Sequence, residues 1–365
     1  MCLASMRGAK KLASWCSNYE FEDVIANVDD VDLVTLSPGR GFGPREWLVR
    51  RLGWRPGVRQ LAAKMNPGLR VQSLDKDYEV FAFVCMHPSD LIYLNSLKGW
   101  KERCKIKVCY MVEFYAGWLK EYAFHLGLLA DFDHVMLCFG GSVDAVHGLI
   151  GKPVHHVALA VDALRFTPFP NPPARVVDIY SMGRRSEPIH QALLKMAVRR
   201  EAFYVYDTIP GLLIQPMDYR QHRDLVANFA KRSRFFVAYP AKVENDETRG
   251  QSEVGARFFE GAAAGAVMLG RAPKAPTFAK EFYWPDAVVD AGETEEQLTA
   301  ALAKFKADPK LIETSGRKSA AEALRKFDWA YRWREILRLT GVEPLPKLLQ
   351  REKQMYQLAA LGEAP

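Results

Sequence analysis

The stretch EVGARFFEGAAAGAVMLG, residues 253–270, joins a helical pattern to a strand-like one. Arg257 and Glu260 are three residues apart, so we expect them to share one face of the helix. A guanidinium and a carboxylate beside a helix amino terminus suit a nucleoside diphosphate, the cation for its phosphates and the carboxylate for its ribose hydroxyls. An ordinary surface ion pair is the alternative interpretation of the same two residues.

Short apolar segments alternate with helical patterns along the whole chain. In the first half, the predicted strands are 12–16, 31–36, 79–85, 105–112, 134–139 and 154–160. The alternation restarts later, with predicted strands at 176–182, 202–206, 234–238, 266–269 and 287–290. Repeated βα units predict parallel sheets covered by helices. We therefore expect an α/β fold with two Rossmann-like, doubly wound domains that face a cleft.

A proline-rich segment separates the two halves, with four prolines in six residues. Proline lacks a backbone donor and stiffens the chain, so this segment is typical of a linker. We predict an N-terminal domain at 1–165, the linker at 166–174 and a C-terminal domain at 175–340. The remaining residues, 341–365, are expected to form a helical tail that packs back on the N-terminal domain.

The composition is that of a folded globular protein, with 49% hydrophobic and 25% charged residues among 365. No apolar run reaches 18 residues and the amino terminus lacks a secretory pattern, which predicts a cytoplasmic protein. The six cysteines form no CxxC pair, and the three Asp-x-Asp triplets precede predicted strands, away from the expected ligand edge. We therefore expect no metal site.

The basic residues are concentrated in one segment of a chain whose net charge is +7. From Arg40 to Lys64 there are seven basic residues against one acid, Glu46, with Trp47 and Trp54 interleaved. Such a segment can bind an anionic acceptor or an anionic membrane surface, which would place the protein peripherally at the inner face of a membrane. A merely solvated basic face is the alternative, and no nucleic-acid motif supports a nucleic-acid partner.

Ligands of open parallel sheets bind beyond the carboxyl ends of the strands. In the first domain, this rule selects three titratable residues, His87, Asp90 and Glu113. It also selects a glycine-containing acceptor-side loop, Gly39, Gly41 and Gly43. In the second domain it selects a largely basic set suited to phosphates and a base, namely Gly183, Arg184, Arg185, Asp207, Thr208, Tyr239 and Lys242.

These residues resemble those of GT-B glycosyltransferases, in particular the group 1 and spore-maturation-type glycosyltransferase-like proteins. The resemblance rests on Gly183-Arg184-Arg185 after the first strand of the second domain, and on Phe327-x-Trp329 at the start of a terminal helical segment. It rests above all on the spacing Arg257-x-x-Glu260-x-x-Ala263-x-Gly265, which is similar to the family's donor-binding helix.

The resemblance implies a hexosyltransferase-type enzyme that uses a nucleoside-diphosphate sugar of UDP or GDP type and a glycan or lipid-linked acceptor. This activity belongs to polysaccharide biosynthesis and needs neither metal nor cofactor. Glu260 would accept hydrogen bonds from the ribose, and Arg257 with Arg184 or Arg185 would face the diphosphate. Tyr239 and Thr208 would lie near the base.

One departure leaves the stereochemistry open. Many retaining members carry a second acid eight residues before the ribose-binding glutamate, but here that position is Ser252, and Glu253 comes one place later. Glu253 is retained as a donor-binding candidate. An inverting enzyme would instead need a base for the acceptor's proton, and Glu113 and His87 are the candidates.

Two other functions are weighed. A non-catalytic GT-B-like protein would bind nucleotide or glycan during polysaccharide assembly without transferring sugar. A nicotinamide-dependent oxidoreductase would require G-x-G-x-x-G between a strand and a helix. The nearest match, Gly39-Arg-Gly41-Phe-Gly43-Pro44, has the wrong third spacing.

Overall fold

The computed structural model describes residues 1–207, 215–243 and 246–363. The chain divides into two compact units, each of which takes segments from distant parts of the sequence. The first unit comprises residues 1–11, 21–158 and 334–345, and the second comprises 12–20, 159–333 and the residues from 346 onward.

The first unit is built on a six-stranded parallel sheet and has a separate two-stranded one. The strands of the unit are β1 (Cys2–Ser5), β2 (Asp32–Thr35), β3 (Gln72–Ser73), β4 (Tyr78–Cys85), β5 (Leu97–Lys98), β6 (Cys104–Met111), β7 (His134–Leu137) and β8 (Val154–His156). The large sheet has the order β2-β1-β4-β6-β7-β8, and β3 pairs separately with β5. The helices are α1 (Cys16–Val28, counted with the second unit up to Glu20), α2 (Phe42–Gly53), α3 (Arg59–Lys64), α4 (Leu119–Leu126) and α5 (Val143–Ile150).

The second unit is built on a five-stranded parallel sheet of order β10-β9-β11-β12-β13. These strands are β9 (Val177–Ser181), β10 (Tyr204–Tyr206), β11 (Ser233–Ala238), β12 (Val267–Gly270) and β13 (Val288–Asp290). The helices are α6 (Ala163–Phe166), α7 (Glu187–Val198), α8 (Tyr219–Lys231), α9 (Ala256–Ala263), α10 (Pro276–Glu281), α11 (Glu295–Ala307), α12 (Lys310–Lys326), α13 (Trp329–Thr340, counted with the first unit from Arg334) and α14 (Pro346–Glu363).

The central strands are buried on both faces, as their apolar runs predict for parallel sheets. In β4, every residue from Val80 to Cys85 is buried, and so is the whole of β12. The core of the second unit packs β11 and β12 against α7 and α11 through side chains such as Leu193, Phe235 and Leu298.

Both sheets are doubly wound, and each has one point at which the strand order reverses. In the first sheet this point lies between β1 and β4, and in the second between β9 and β11. The carboxyl ends of strands at such a switch point form the usual ligand site of open α/β sheets. The structure thus confirms the predicted fold class, two Rossmann-like α/β units.

The domain boundaries are more interleaved than a single linker predicts, because residues 12–20 join the second unit and 334–345 join the first. The tail is helical as expected, in the form of α14. It contacts α12, where Arg325 binds Glu363 with 2.6 Å between Nη2 and Oε2, and Arg317 donates to the carbonyl of Leu361 at 2.9 Å. Arg351 of α14 also donates to Asp328 and to Asp162, each at 2.7 Å. A contact of this tail with the first domain stays a prediction.

The predicted first strand, 12–16, is wrong. Residues 13–15 form a single 3₁₀ turn that leads into α1, and the first strand is β1, ten residues earlier. The apolar run is explained by helical packing, since the rings of Trp15 and Tyr19, four residues apart, stack with centroids 6.0 Å apart. A short apolar run cannot distinguish a strand from a buried helix start.

Candidate functional site

Arg257 and Glu260 meet on α9, as their spacing predicts. A guanidinium nitrogen of Arg257 donates to one carboxylate oxygen of Glu260. Glu260 is only 1% exposed, whereas the side chain of Arg257 is 25% exposed. The carboxylate is therefore the inner member of the pair, and the guanidinium is the member that a ligand can reach.

The other oxygen of Glu260 accepts from Arg223 of α8, a residue that the sequence analysis did not select. Burial by itself raises the pKa of Glu260, but the charges of Arg257 and Arg223 outweigh it and hold that pKa below its usual value. Glu260 is therefore a fixed carboxylate anion, able to accept hydrogen bonds and unable to donate one.

Arg223 is itself bound by Glu20, the last residue of the segment 12–20 that belongs to the second unit. The Nε of Arg223 donates to Glu20 at 2.8 Å and its Nη2 donates at 3.1 Å, which is a bidentate pair. Glu20 also accepts from the indole Nε1 of Trp329 at 3.2 Å and from the backbone N–H of Asp162 at 2.8 Å. The buried charges thus alternate in sign and end at Arg257.

A local signal for Arg223 exists in the sequence. Arg223 lies on the same helical stripe of α8 as the buried residues Val226, Ala227 and Ala230. The amino end of α8 is fixed by Asp218, whose side chain accepts from the N–H of Arg220 at 2.7 Å. A cation on a buried stripe requires a buried anion, but the sequence does not show which one.

The glycine turn after β9 lies beside Arg257. Gly183 has φ +78°, and a Cβ built there would be 3.8 Å from both Nε and Nη2 of Arg257. The backbone N–H of Gly183 donates to both oxygens of Asp207 at 3.0 Å. The switch point between β9 and β11 therefore brings the predicted turn and the predicted helix together.

The two arginines of this turn differ in their surroundings. Arg185 donates to a carboxylate oxygen of Asp207 at 2.8 Å, and its guanidinium lies 5.1 Å from the ring centre of Tyr206. Arg184 is exposed and makes no ion pair with any acid in the described part of the chain. Of the two candidates for the diphosphate, Arg184 is the one whose charge no acid among the described residues matches.

Three further predicted donor-site residues have different outcomes. Tyr239 is 4% exposed and belongs to the buried core of the second unit. Glu253 is 3% exposed, and its side chain accepts from Gln251 Nε2 at 2.6 Å. Thr208 lies outside the described residues. Roles for these three residues in donor binding stay predictions.

His222 precedes Arg223 and was not selected from the sequence. Burial and the nearby charges of Arg223 and Arg257 lower the pKa of His222 to about 4. Its Nδ1 is buried and finds no hydrogen-bond partner among the described residues. The imidazole is therefore neutral at physiological pH.

In the first unit, the predicted acid–base candidates lie close together. Nε2 of His87 and a carboxylate oxygen of Glu113 are 3.9 Å apart, and both side chains are partly exposed. His87 begins a 3₁₀ segment, where its backbone N–H donates to Asp90 at 2.9 Å. The backbone N–H of Glu113 donates to the carbonyl of Met86 at 2.8 Å, which fixes the two loops to each other.

The acceptor-side glycine loop has structural roles of its own. Gly39 donates its N–H to the carbonyl of Gly68 at 2.9 Å, and Gly41 occupies the N-cap position of α2. Gly43 lies within the first turn of α2, with open space around it. Contact with an acceptor stays a prediction for this loop.

Among residues 1–207, 215–243 and 246–363, no three His, Cys, Asp or Glu side chains come together as a metal-binding group. The Asp-x-Asp acids instead form ion pairs, such as Asp131 with Lys101 at 2.5 Å and Asp77 with Arg103 at 3.0 Å.

A cavity of about 680 Å³ lies at the amino ends of β9 and β11, bordered by Ile179 and Phe235. It is at the sheet edge opposite to Arg257 and does not belong to the candidate site.

A family model described as "Glycosyl transferase-like" matches residues 191–338, which include α8 and α9. Among curated proteins, no sequence matches the chain significantly. Three solved structures are similar to nearly the whole chain in fold, although their sequences are at most 12% identical to it.

The first is Anabaena HepE in complex with UDP-glucose, with a TM-score of 0.52 and 12% identity over 93% of this chain and 98% of that one. The second is a UDP-forming trehalose-phosphate synthase from Burkholderia xenovorans, with a TM-score of 0.54 and 8% identity over 92% and 97%. The third is an alpha-glucosyltransferase with UDP and DNA, with a TM-score of 0.52 and 10% identity over 93% and 98%.

Residues 191–338 are thus similar to the glycosyl transferase-like family, and nearly the whole chain shares the fold of these three structures.

Proposed function

We propose that the protein moves a hexose from a UDP- or GDP-sugar to a glycan or lipid-linked acceptor in polysaccharide biosynthesis. The observation that carries this proposal is the partly exposed guanidinium of Arg257, in the first turn of α9 and beside the Gly183 turn. It provides positive charge at the switch point of the second sheet, where a nucleotide is expected.

The reaction requires stabilisation of the departing nucleoside diphosphate, whose negative charge grows as the glycosidic bond breaks. Arg257, Arg184 and the amino terminus of α9 supply this stabilisation in our proposal. The N-cap of α9 is Gly255, which has no side chain to satisfy the first N–H groups. Fixed donors of this kind stabilise developing charge without reorganisation during the reaction.

Glu260 is the proposed acceptor for the ribose hydroxyls. A carboxylate offers about four lone-pair positions, so it can accept from a hydroxyl as well as from Arg223. Because Glu260 is 1% exposed, ribose contact requires the partly exposed Arg257 side chain to turn toward the diphosphate. The more deeply buried Arg223 would continue to orient the carboxylate.

UDP-sugars are the first donors to test, because the similar structures are described as binding UDP-glucose or UDP, or as forming UDP. We further propose that no divalent cation is required, since arginines supply the positive charge. Transfer rates that stay within about twofold after addition of EDTA would support this. Restoration of activity by Mn²⁺ or Mg²⁺ alone would overturn it.

Glu113 and His87 are the proposed base and its neighbour for an inverting reaction. Anomeric analysis of the product by NMR distinguishes inversion from retention, and retention would remove this role.

The decisive experiment measures release of the nucleoside diphosphate from a panel of nucleotide sugars, with and without glycan or lipid-linked acceptors. Acceptor-dependent release is expected with at least one donor. Nucleotide binding without any release would favour the alternative, a non-catalytic GT-B-like protein that acts in polysaccharide assembly. We place the proposed activity in the cytoplasm.

A further inference from the structure

The segment that contains α2 and α3 carries several large apolar side chains that are substantially exposed. We call the exposed side chains from Arg40 to Lys64 the α2–α3 surface. Leu61 is 63% exposed and Trp47 is 60% exposed, and Trp54, Leu48 and Val58 are between 38% and 46% exposed. Single exposed apolar residues are ordinary, but five between positions 47 and 61 of one segment are typical of an interaction site.

The charges of this segment are sorted between two faces. Glu46, the one acid, turns inward and contacts Lys10 Nζ at 2.6 Å and Arg50 Nε at 3.5 Å. The other six basic residues are exposed, and none forms an ion pair with an acid in the described part of the chain: Arg40, Arg45, Arg51, Arg55, Arg59 and Lys64. The charged residues of this segment that are classed as exposed are thus all cationic.

The same segment is tied to the candidate acid–base pair of the first unit. Arg50 donates to Asp90 at 2.9 Å, and the second oxygen of Asp90 accepts from the N–H of His87. Trp54 packs on the ring of His125 in α4, with centroids 5.1 Å apart. The α2–α3 surface is therefore the outer side of a structure whose inner side holds His87.

We propose that the α2–α3 surface docks the protein on an anionic lipid bilayer. The arginines bind the headgroups, and the side chains of Trp47, Trp54 and Leu61 enter the boundary between headgroups and acyl chains. None of the described helices combines the length and apolarity needed to span a bilayer, so this contact is peripheral. The docking is independent of sugar transfer, and its failure would leave the proposed function standing.

A bilayer fits this surface better than nucleic acid does. Both ligands would satisfy the arginines, and bases could stack on the tryptophans. Leu48, Val58 and Leu61, however, are aliphatic and gain only from an apolar environment, which the acyl boundary provides. Tryptophan is also enriched at membrane interfaces, since its ring is apolar with one polar N–H.

Flotation with lipid vesicles tests the proposal. We expect the protein to bind vesicles of phosphatidylcholine with phosphatidylglycerol, to bind pure phosphatidylcholine weakly, and to be released by salt. Each basic residue near an anionic surface contributes roughly fivefold to partitioning. The Arg55→Glu/Arg59→Glu variant should therefore partition at least about 25-fold more weakly. Lys98→Glu/Lys105→Glu, at two other exposed positions of the same unit, makes the same charge change and should partition as the wild type does.

Tryptophan fluorescence tests the apolar part independently. Anionic vesicles should shift the emission to shorter wavelength, and the Trp47→Phe/Trp54→Phe variant should lose that shift while its melting temperature stays close to that of the wild type. Equal loss of partitioning in both charge-reversal variants would overturn the proposal. So would binding to random-sequence DNA that exceeds vesicle binding and disappears in Arg55→Glu/Arg59→Glu.

Discussion

Arg223 joins two buried carboxylates, because its Nε and Nη2 bind Glu20 and its Nη1 binds Glu260. Glu20 and Glu260 are 240 residues apart in sequence, and each is 1% exposed. Burial alone would lower the pKa of Arg223, but the two carboxylates raise it above its usual value. Arg223 is a positioning residue, since it acts on the candidate site through Glu260.

Replacing Arg223 should destabilise the second unit strongly. Arg223→Ala leaves Glu20 and Glu260 buried with fewer cationic partners, and breaking a buried pair costs about 3–5 kcal/mol. Arg232→Ala, at the exposed carboxyl end of the same helix, should cost less than about 0.5 kcal/mol. Urea denaturation of the two variants measures the difference. Equal midpoints would contradict the role that we assign to Arg223.

Stability should fall as the pH is lowered from about 7 toward 4. Burial, with a further contribution from Arg50, lowers the pKa of His125 to about 4, so the folded state binds fewer protons than the unfolded state below the unfolded value of roughly 6.5. One such group contributes at most about 1.4 kcal/mol per pH unit, and the loss is complete below the folded pKa. His125→Gln should reduce the slope, whereas His147→Gln, at an exposed position, should preserve it. An unchanged slope in the first variant would contradict this prediction.

Gly265 should tolerate no side chain at the end of α9. It has φ +64°, and a Cβ there would lie 3.0 Å from both Arg175 Nη2 and the carbonyl of Gly316. Gly341 has φ +72° with no atom within 4 Å, so Gly341→Ala measures the backbone strain alone, about 1–2 kcal/mol. Gly265→Ala should cost about 1–3 kcal/mol more because of overpacking. Similar losses in thermal denaturation would show that the close approach is unimportant.

If the reaction inverts, Glu113→Gln should lower kcat by roughly 10²–10⁴-fold, because the acceptor's proton then has no base to receive it. Glu121→Gln, on the exposed side of α4, serves as the matched control and should have the kcat of the wild type. If kcat of Glu113→Gln stays within a few-fold of the wild-type value, Glu113 is excluded as the base.

Local sequence patterns were sufficient to predict the fold class, the Arg257–Glu260 pair and the Gly183 turn. Apolar runs predicted the inner strands, because a parallel strand that is buried on both faces consists almost entirely of apolar residues. The Arg257–Glu260 pair was predictable because helix geometry fixes neighbours three residues apart. The strand β1 was missed because its four residues are shorter than the apolar run at 12–16, which forms a helix start instead.

Glu20 and Arg223 could not be paired from the sequence. Their contact joins positions 203 residues apart, and only the packing of the second unit brings them together. The difference between Arg184 and Arg185 was also beyond the sequence, since it depends on Asp207 reaching back to the Gly183 turn.

Binding of UDP or GDP to Arg257→Ala tests the central claim most directly. Isothermal titration should show the dissociation constant rising roughly 10- to 100-fold, because a hydrogen bond to a charged group is worth about 1.5–3 kcal/mol. Arg234→Ala, which removes an exposed arginine paired with Asp178 at the opposite edge of the same sheet, should leave the constant unchanged. Equal affinities for the wild type and both variants would contradict nucleotide binding at the α9 turn.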